Sequence, residues 1–291
     1  LLRRIRPAAV VGFGGYASAP TMWAAGQLGL PTMIHEQNAV LGRANRLIAA
    51  RARRIATSFA TVSGIRERDR PRITLTGNPV RADIAAVGKT PYSAPAGDSV
   101  IGLLVFGGSQ GARILSDVVP AAIAALPATL RTRLEVVQQC RPENLDAVRD
   151  CYRAAGVNAT LETFFSDMPA RIAAAHLVIG RAGASTVSEL AAAGRPAILV
   201  PYRFAMDDHQ SANAMAMDSD GAAIVVREDD FAPEPLSRHL SELFAAPELL
   251  TAMAAKALAA GHADAAERLA DAAESIAGAA NDNRAGREEA A

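Results

Sequence analysis

Three short segments rich in glycine and polar residues each follow an apolar run that is typical of a buried strand. They are Gly107-Gly108-Ser109-Gln110-Gly111-Ala112, Arg181-Ala182-Gly183-Ala184-Ser185-Thr186 and Asp207-Asp208-His209-Gln210-Ser211-Ala212-Asn213. In an open parallel sheet, the loops at the carboxyl ends of the strands line one crevice, and ligands bind there. Small residues let a ligand approach the backbone, and the free amides at a helix N-terminus attract anions. The segments therefore predict a binding site for a nucleoside diphosphate.

The first two segments offer groups for a phosphate and a ribose. The Ser109 hydroxyl and the backbone amides of residues 108–111 can bind a phosphate, although serine is also a favoured helix N-cap. Glu189 follows Thr186 by three residues, so both side chains face the same side of one helix. A carboxylate there can accept hydrogen bonds from both ribose hydroxyls. The alternative is a capping box in which Ser185 or Thr186 is the cap.

Polar residues around these segments have two interpretations each. Arg181 either neutralises a phosphate or is a solvated loop arginine. Gln210 and Asn213, three residues apart, either bind sugar hydroxyls from one helix face or form a polar helix start. Asp207 and Asp208 are adjacent, so their carboxylates point to different sides, and we expect no metal site and no cofactor.

The first part of the chain has two further polar segments after apolar runs. His35-Glu36-Gln37-Asn38 ends one predicted strand, where His35 and Glu36 can do acid–base work and Asn38 can orient a hydroxyl. Gly77-Asn78-Pro79-Val80-Arg81 ends another, where Arg81 either reaches a ligand or belongs to a simple turn.

The elements that must position these residues alternate between strands and helices. Such alternation indicates βαβ units and parallel sheets, so we expect an α/β fold with two doubly wound domains. The predicted strands are residues 8–13, 31–35, 54–57, 73–76, 100–106, 134–138, 159–163, 176–180, 196–200 and 222–226. The predicted domains are residues 1–87 and 99–277, joined by a linker at 88–98 that is rich in Pro, Gly and Ser, with a disordered tail at 278–291.

Composition narrows the class of protein. Thirty basic residues balance thirty acidic ones in 291 residues, which gives no overall basic character for nucleic-acid binding. Two cysteines without a CxxC motif favour a reduced setting over a disulfide framework. The sequence has no apolar run of about 18–20 residues, the length that spans a bilayer.

The polar segments, taken in order, resemble the motif series of the MurG family, the bacterial undecaprenyl-diphospho-muramoylpentapeptide β-N-acetylglucosaminyltransferases. The resemblance covers roughly residues 1–277. It implies a GT-B fold with a cleft between two domains. It also implies inverting transfer of N-acetylglucosamine from UDP-GlcNAc to the 4-hydroxyl of a lipid-linked muramoyl-pentapeptide, lipid I to lipid II, in peptidoglycan synthesis. The expected location is peripheral, on the cytoplasmic face of the bacterial plasma membrane.

The resemblance also implies roles for single positions. The first-domain side contributes Asn38 and Arg81 to the donor site, and Glu189 binds the ribose. At Phe165 the family uses backbone groups to read uracil, and Gln210 binds the sugar hydroxyls. The implied UDP-GlcNAc-binding residues are Asn38, Arg81, Ser109, Phe165, Ala184, Ser185, Thr186, Glu189 and Gln210.

At the N-terminus the sequence departs from the family pattern. The GGTGGH-type loop of the family, whose histidine is a candidate general base, is absent. We therefore expect an N-terminally truncated first domain and impaired activity, with His35 or Glu36 assisting at the acceptor side. Leu1, Leu2 and Ile5 beside Arg3, Arg4 and Arg6 suggest docking on an anionic membrane surface, with Trp23 close by. The alternative is that Leu2 and Ile5 pack onto the missing part of the sheet and that the arginines are merely solvated.

Two other functions fit the same architecture. A UDP-GlcNAc 2-epimerase would act on the donor alone, and a non-catalytic protein would only bind a UDP-sugar. Incorporation of solvent deuterium at C2 of the sugar without an acceptor would distinguish the isomerase.

Overall fold

The computed structural model describes residues 1–108 and 111–288, and the side chains as far as residue 278. Within these residues the strands are β1 (Val10–Gly12), β2 (Thr32–Glu36), β3 (Arg54–Thr57), β4 (Ile73–Leu75), β5 (Ile101–Phe106), β6 (Leu134–Gln139), β7 (Asn158–Glu162), β8 (Leu177–Gly180), β9 (Ala197–Leu199) and β10 (Ala223–Val225). The α-helices are α1 (Leu2–Ile5), α2 (Gly15–Gln27), α3 (Arg43–Ile48), α4 (Ala82–Val87), α5 (Arg113–Ala124), α6 (Ala128–Arg131), α7 (Leu145–Ala154), α8 (Met168–Ala174), α9 (Ala184–Ala192), α10 (His209–Ser219), α11 (Pro233–Ala245), α12 (Pro247–Ala260) and α13 (Ala265–Glu288).

The chain divides into two compact units. The first consists of Leu1–Pro79 together with His262–Ala291, and the second is Val80–Gly261. These bounds differ from the predicted domains because α4 packs on α8 and α9 of the second unit, whereas α13 packs on β2 and β3 of the first. A helix at the end of the chain that returns to the first unit leaves no local signal in the sequence.

The first unit contains a parallel sheet in the order β1-β2-β3-β4. One face packs on α2 and α3 through a core that includes Met22, Ile34, Ile48 and Ile55. The other face carries Met33 and Ala56, which pack against residues of α13. All five residues of β2 are buried, as expected for a parallel strand that is covered on both faces.

The second unit contains a parallel sheet in the order β10-β9-β8-β5-β6-β7. Renumbered from β5 as strand one, this is the doubly wound order 3-2-1-4-5-6. The connections change direction between β5 and β8, and ligands bind outside the carboxyl ends of the strands at such a switch point. The fold therefore provides one position for a ligand site.

The predicted strands of both halves are found, some of them shortened by one to three residues, as where residues 8–13 are reduced to Val10–Gly12. The parallel, doubly wound α/β architecture is confirmed. The predicted disordered tail at 278–291 is helical as far as Glu288, and its last part, 289–291, lies outside the described residues. Several alanines, which have the highest helix propensity, continue the helix through this segment.

Candidate functional site

The three segments singled out in the sequence lie after three neighbouring strands of the second unit. Phe106 pairs with Gly180 at the ends of β5 and β8, and Gly180 pairs with Leu199 at the end of β9. The first two segments therefore begin side by side at the switch point, and the third begins at Asp207, further along the loop that follows β9. Ser109 and Gln110 of the first segment lie outside the described residues.

The first segment packs tightly against the start of α5. A Cβ atom added at Gly107 would lie 2.3 Å from the backbone nitrogen of Ala112. Gly108 and Gly111 have positive φ angles of 83° and 66°, which glycine adopts without steric cost. The Gly107 amide donates to Gln139 Oε1 at 3.1 Å. Gln139 was missed in the sequence, although a glutamine pair at the end of an apolar strand is a signal for a polar role.

The second segment presents the free N-terminus of α9. Its N-cap is Gly183, without a side-chain cap, and the first helical hydrogen bond runs from the Val187 amide to the Gly183 carbonyl. The amides of Ala184, Ser185 and Thr186 consequently have no intrahelical partner, and together with the helix dipole they favour an anion. The capping-box alternative for Ser185 or Thr186 is wrong, because Gly183 is the cap and Glu189 is the sixth residue of the helix.

Arg81 and Glu189, 108 residues apart in the sequence, meet in the second unit. Arg81 Nε lies 3.4 Å from Glu189 Oε1. Burial raises the pKa of the Glu189 carboxyl, and the neighbouring Arg81 lowers it in part. Glu189 is therefore a mostly buried carboxylate about one turn beyond the free amides of α9, and its Oε1 faces the Arg81 guanidinium.

Arg181 has a different environment from the predicted one. It is buried, and its Nη1 donates to the carbonyls of Val200 and Pro201 and to Glu228 Oε2. A guanidinium held in this way belongs to the fold, so the structure does not support the predicted phosphate contact. The structure also does not support the prediction that Gln210 and Asn213 both bind sugar hydroxyls from one helix face, because Asn213 is buried.

Asn213 is fully buried and donates to the Ala182 carbonyl at 3.1 Å. Gln210 remains partly exposed, with its Oε1 accepting from the Tyr202 amide at 3.0 Å. Phe165 is buried and packs near the Arg171 guanidinium, so its side chain is not accessible to a ligand. In the part of the chain that the structure describes, no group of three His, Cys, Asp or Glu residues could hold a metal ion.

Glu36 organises the loop after β2 in the first unit. Its Oε1 accepts from the Asn38 amide at 3.0 Å, and its Oε2 accepts from the Gly42 amide and from Asn45 Nδ2, each at 2.8 Å. The side chain is buried. Glu36 therefore holds the loop that carries Asn38. Asn45 was missed because nothing in the sequence pattern around it distinguishes it.

His35 is also buried and fully engaged. Its Nε2 lies 3.0 Å from the Gly77 carbonyl, which can only accept, so Nε2 carries the proton. Its Nδ1 accepts from Gln37 Nε2 at 3.1 Å. Burial lowers the pKa of this imidazole and keeps it neutral. Neither His35 nor Glu36 reaches the surface, so the structure offers neither a direct proton transfer to a ligand.

In comparison with known protein families, two separate models match the two parts of the chain. The model of the glycosyltransferase family 28 C-terminal domain matches residues 102–269, and that of the N-terminal domain matches residues 1–57. A protein of Paramagnetospirillum magneticum named UDP-N-acetylglucosamine–N-acetylmuramyl-(pentapeptide) pyrophosphoryl-undecaprenol N-acetylglucosamine transferase is 58% identical over 93% of this chain and 73% of its own length. Its namesake from Rhodospirillum centenum is 54% identical over 97% and 74%, respectively.

Solved structures agree. The crystal structure of Acinetobacter baumannii MurG has a TM-score of 0.79 and 32% sequence identity, covering 94% of this chain and 76% of that one. A UDP-GlcNAc 2-epimerase from Neisseria meningitidis has a TM-score of 0.65 at 12% identity over 93% and 77% of the two chains, which is a likeness of fold alone. The two Rossmann-like units have the GT-B fold, and this chain belongs to the MurG family within glycosyltransferase family 28.

Proposed function

We propose that this chain is the hexosyltransferase that moves N-acetylglucosamine from UDP-GlcNAc to the 4-hydroxyl of undecaprenyl-diphospho-N-acetylmuramoyl-pentapeptide, converting lipid I to lipid II. The names of the relatives support this reaction. The observation that carries it is the uncapped N-terminus of α9 at the switch point, with Glu189 in the same helix. This combination suits a diphosphate beside a ribose.

In this reaction the UDP diphosphate leaves with growing negative charge. The free amides of Ala184, Ser185 and Thr186, together with the positive end of the α9 dipole, stabilise that charge where it develops. Ser109, in the segment that follows β5 in the sequence, is proposed as a further hydrogen-bond donor to the diphosphate. The amides at the start of α9 are fixed by the fold before the donor arrives, so they need no reorganisation during the reaction.

Other groups recognise the remaining parts of the donor. The Glu189 carboxylate accepts hydrogen bonds from the ribose hydroxyls, and Arg81 beside it supplies positive charge. The Phe165 backbone reads uracil, and Gln210 binds the hexose. Asn38, whose amide donates to Glu36, is a further residue proposed to bind the donor.

Transfer of labelled N-acetylglucosamine to a lipid-linked muramoyl-pentapeptide tests the proposal. We expect label in the lipid fraction with the wild-type protein and much less with Glu189→Ala. Release of UDP without labelled lipid would count against the acceptor. Exchange of solvent deuterium into C2 of UDP-GlcNAc in the absence of acceptor would favour the 2-epimerase instead.

We infer that the protein docks peripherally on the cytoplasmic face of the membrane. Among the described residues no single helix is long and apolar enough to cross a bilayer. Leu1 and Ile5 are exposed beside the basic residues Arg3 and Arg4, which suits shallow insertion and attraction to anionic lipid.

Vesicle co-sedimentation tests this docking. Changing Arg3, Arg4 and Arg6 to Glu should abolish the preference for anionic over neutral vesicles, and an unchanged preference would exclude this surface.

A further inference from the structure

The loop between β9 and α10 carries the backbone that orients Gln210. Its residues Val200 to Arg203 run from the end of the strand toward the helix, and Gln210 lies in the first turn of α10. Two side chains from other elements, Arg181 after β8 and Glu228 after β10, bind this short stretch of backbone on both sides of Tyr202.

The contacts form a continuous chain. Arg181 Nη1 donates to the carbonyl of Val200 at 3.1 Å, to that of Pro201 at 3.3 Å and to Glu228 Oε2 at 2.9 Å. The same Glu228 oxygen accepts from the Arg203 amide at 3.1 Å. The Arg181 guanidinium also lies 5.3 Å from the centre of the Tyr202 ring. The backbone before and after Tyr202 is thus fixed by one ion pair.

The Tyr202 amide in turn fixes the polarity of Gln210. It lies 3.0 Å from the Gln210 carboxamide, and because a backbone N–H can only donate, the bonded atom is the oxygen Oε1. The NH₂ group of Gln210 is left as the end that a ligand can meet. Gln210 therefore offers a hydrogen-bond donor, and its direction depends on the position of the Tyr202 amide.

Burial makes the Arg181–Glu228 pair sensitive to substitution. Their side chains are 11% and 16% exposed, so removing one charge leaves the other largely desolvated without a partner. Burial raises the pKa of Glu228, but the hydrogen bonds from Arg181 and Arg203 outweigh it, and the net shift is downward, so the carboxylate is ionised. The neighbouring pair of Arg203 and Asp229 is half exposed, and a hydrogen bond joins its two side chains.

We infer that the Arg181–Glu228 ion pair is a specificity-determining positioning element, which holds the Gln210 carboxamide as a donor to a hydroxyl of the hexose in a UDP-sugar. The inference rests on the proposed function, because it takes the hexose of UDP-GlcNAc as the ligand of Gln210. Arg181 and Glu228 act through Gln210 and touch no substrate, so their loss should affect recognition of the hexose and spare the nucleotide.

Calorimetry with UDP, UDP-GlcNAc and its C4 epimer UDP-GalNAc tests the inference on the whole chain. In Glu228→Gln we expect the affinity for UDP to stay within about twofold of wild type, because the groups that bind nucleotide are unchanged. The affinity for UDP-GlcNAc should fall by about two- to tenfold, the value of one net hydrogen bond, and discrimination against UDP-GalNAc should narrow. Asp229→Asn, the matched control, should change none of these.

A double variant separates positioning from general damage. If Glu228 acts through Gln210, Glu228→Gln should cause no further loss of UDP-GlcNAc affinity in a Gln210→Ala background. Should Glu228→Gln fail to fold, Arg181→Lys keeps the charge without the planar fork and answers the same question. Equal losses of UDP and UDP-GlcNAc affinity, additive losses in the double variant, or a Glu228→Gln variant that behaves like Asp229→Asn would overturn the inference. A wild-type chain that does not bind UDP would overturn the proposed function itself.

Discussion

Replacing Glu189 with alanine separates a binding role from a structural one. The free helix N-terminus at Gly183 shows that Glu189 caps nothing, so its substitution removes no capping hydrogen bond. Its recorded partner is Arg81, at 3.4 Å and with a side chain that is half exposed. We therefore expect Glu189→Ala to lower UDP affinity strongly and to leave the stability of the fold nearly unchanged.

The two magnitudes follow from the environment of the carboxylate. An ion pair with a half-exposed arginine stabilises a fold by about 0–1 kcal/mol. Burial raises the pKa of Glu189, which means that its carboxylate is partly desolvated, so removing it also relieves a desolvation cost and offsets part of the lost ion pair. The free energy of unfolding should thus change by less than about 1 kcal/mol. A hydrogen bond from a ribose hydroxyl to a charged acceptor contributes about 1.5–3 kcal/mol, which corresponds to roughly a ten- to 150-fold rise in the Kd for UDP.

Titration calorimetry with UDP and thermal melting measure both quantities on the same samples. Glu234→Ala is the matched control, because Glu234 also pairs with an arginine, at 3.5 Å, but lies on α11. It should leave UDP binding unchanged. A Glu189→Ala protein that binds UDP as the wild type does but melts several degrees earlier would refute the ribose assignment and return Glu189 to a structural role.

Three further outcomes follow. In the unfolded chain His35 takes up a proton below its ordinary pKa of 6.5, whereas the folded imidazole, with its lowered pKa, stays neutral, so the free energy of unfolding should fall as the pH falls below about 6.5. His35→Gln should reduce this dependence on pH, as measured by melts at pH 7.5 and 5.5. An unchanged dependence would exclude His35 as its source. Gly107→Ala places a Cβ atom 2.3 Å from the Ala112 nitrogen and should weaken UDP binding and lower the melting temperature, whereas Gly26→Ala, whose Cβ meets its neighbour at 3.5 Å, should do neither. EDTA should leave glycosyl transfer intact, because helix amides and Arg81 supply the positive potential; full loss that Mg²⁺ or Mn²⁺ restores would redirect attention to Asp207.

The sequence predicts the architecture well because the determining signals are local. Apolar runs of four to six residues with glycine-rich ends mark β5 and β8, and their alternation with helices leaves parallel pairing as the natural arrangement. The division into units was less predictable. Gly261 and α4 pack against α9, so segments on either side of the predicted linker belong to one unit. Those contacts join distant parts of the chain and leave no periodic pattern.

The candidate site shows the same limit at the level of single side chains. Free amides at the start of α9 follow from a glycine before a helical segment, which is readable in the sequence. The environment of Arg181 is not readable, because its partner Glu228 lies 47 residues further along the chain. The pattern predicts a sugar contact for Asn213 and acid–base work for His35, yet both side chains bind backbone carbonyls inside the fold.

The carboxyl edge of a parallel sheet therefore carries two kinds of polar residue, and burial separates them. Backbone N–H and C=O groups just beyond the end of a strand no longer pair with a neighbouring strand. Where the loop is buried, these groups need hydrogen bonds from buried side chains. Glu36 does this after β2, and Arg181 does it after β9. Gln210, which is proposed to bind the hexose, is a side chain that such a frame leaves partly exposed. A substitution in the frame should consequently alter the selectivity of the site, and one in an exposed group should alter affinity directly.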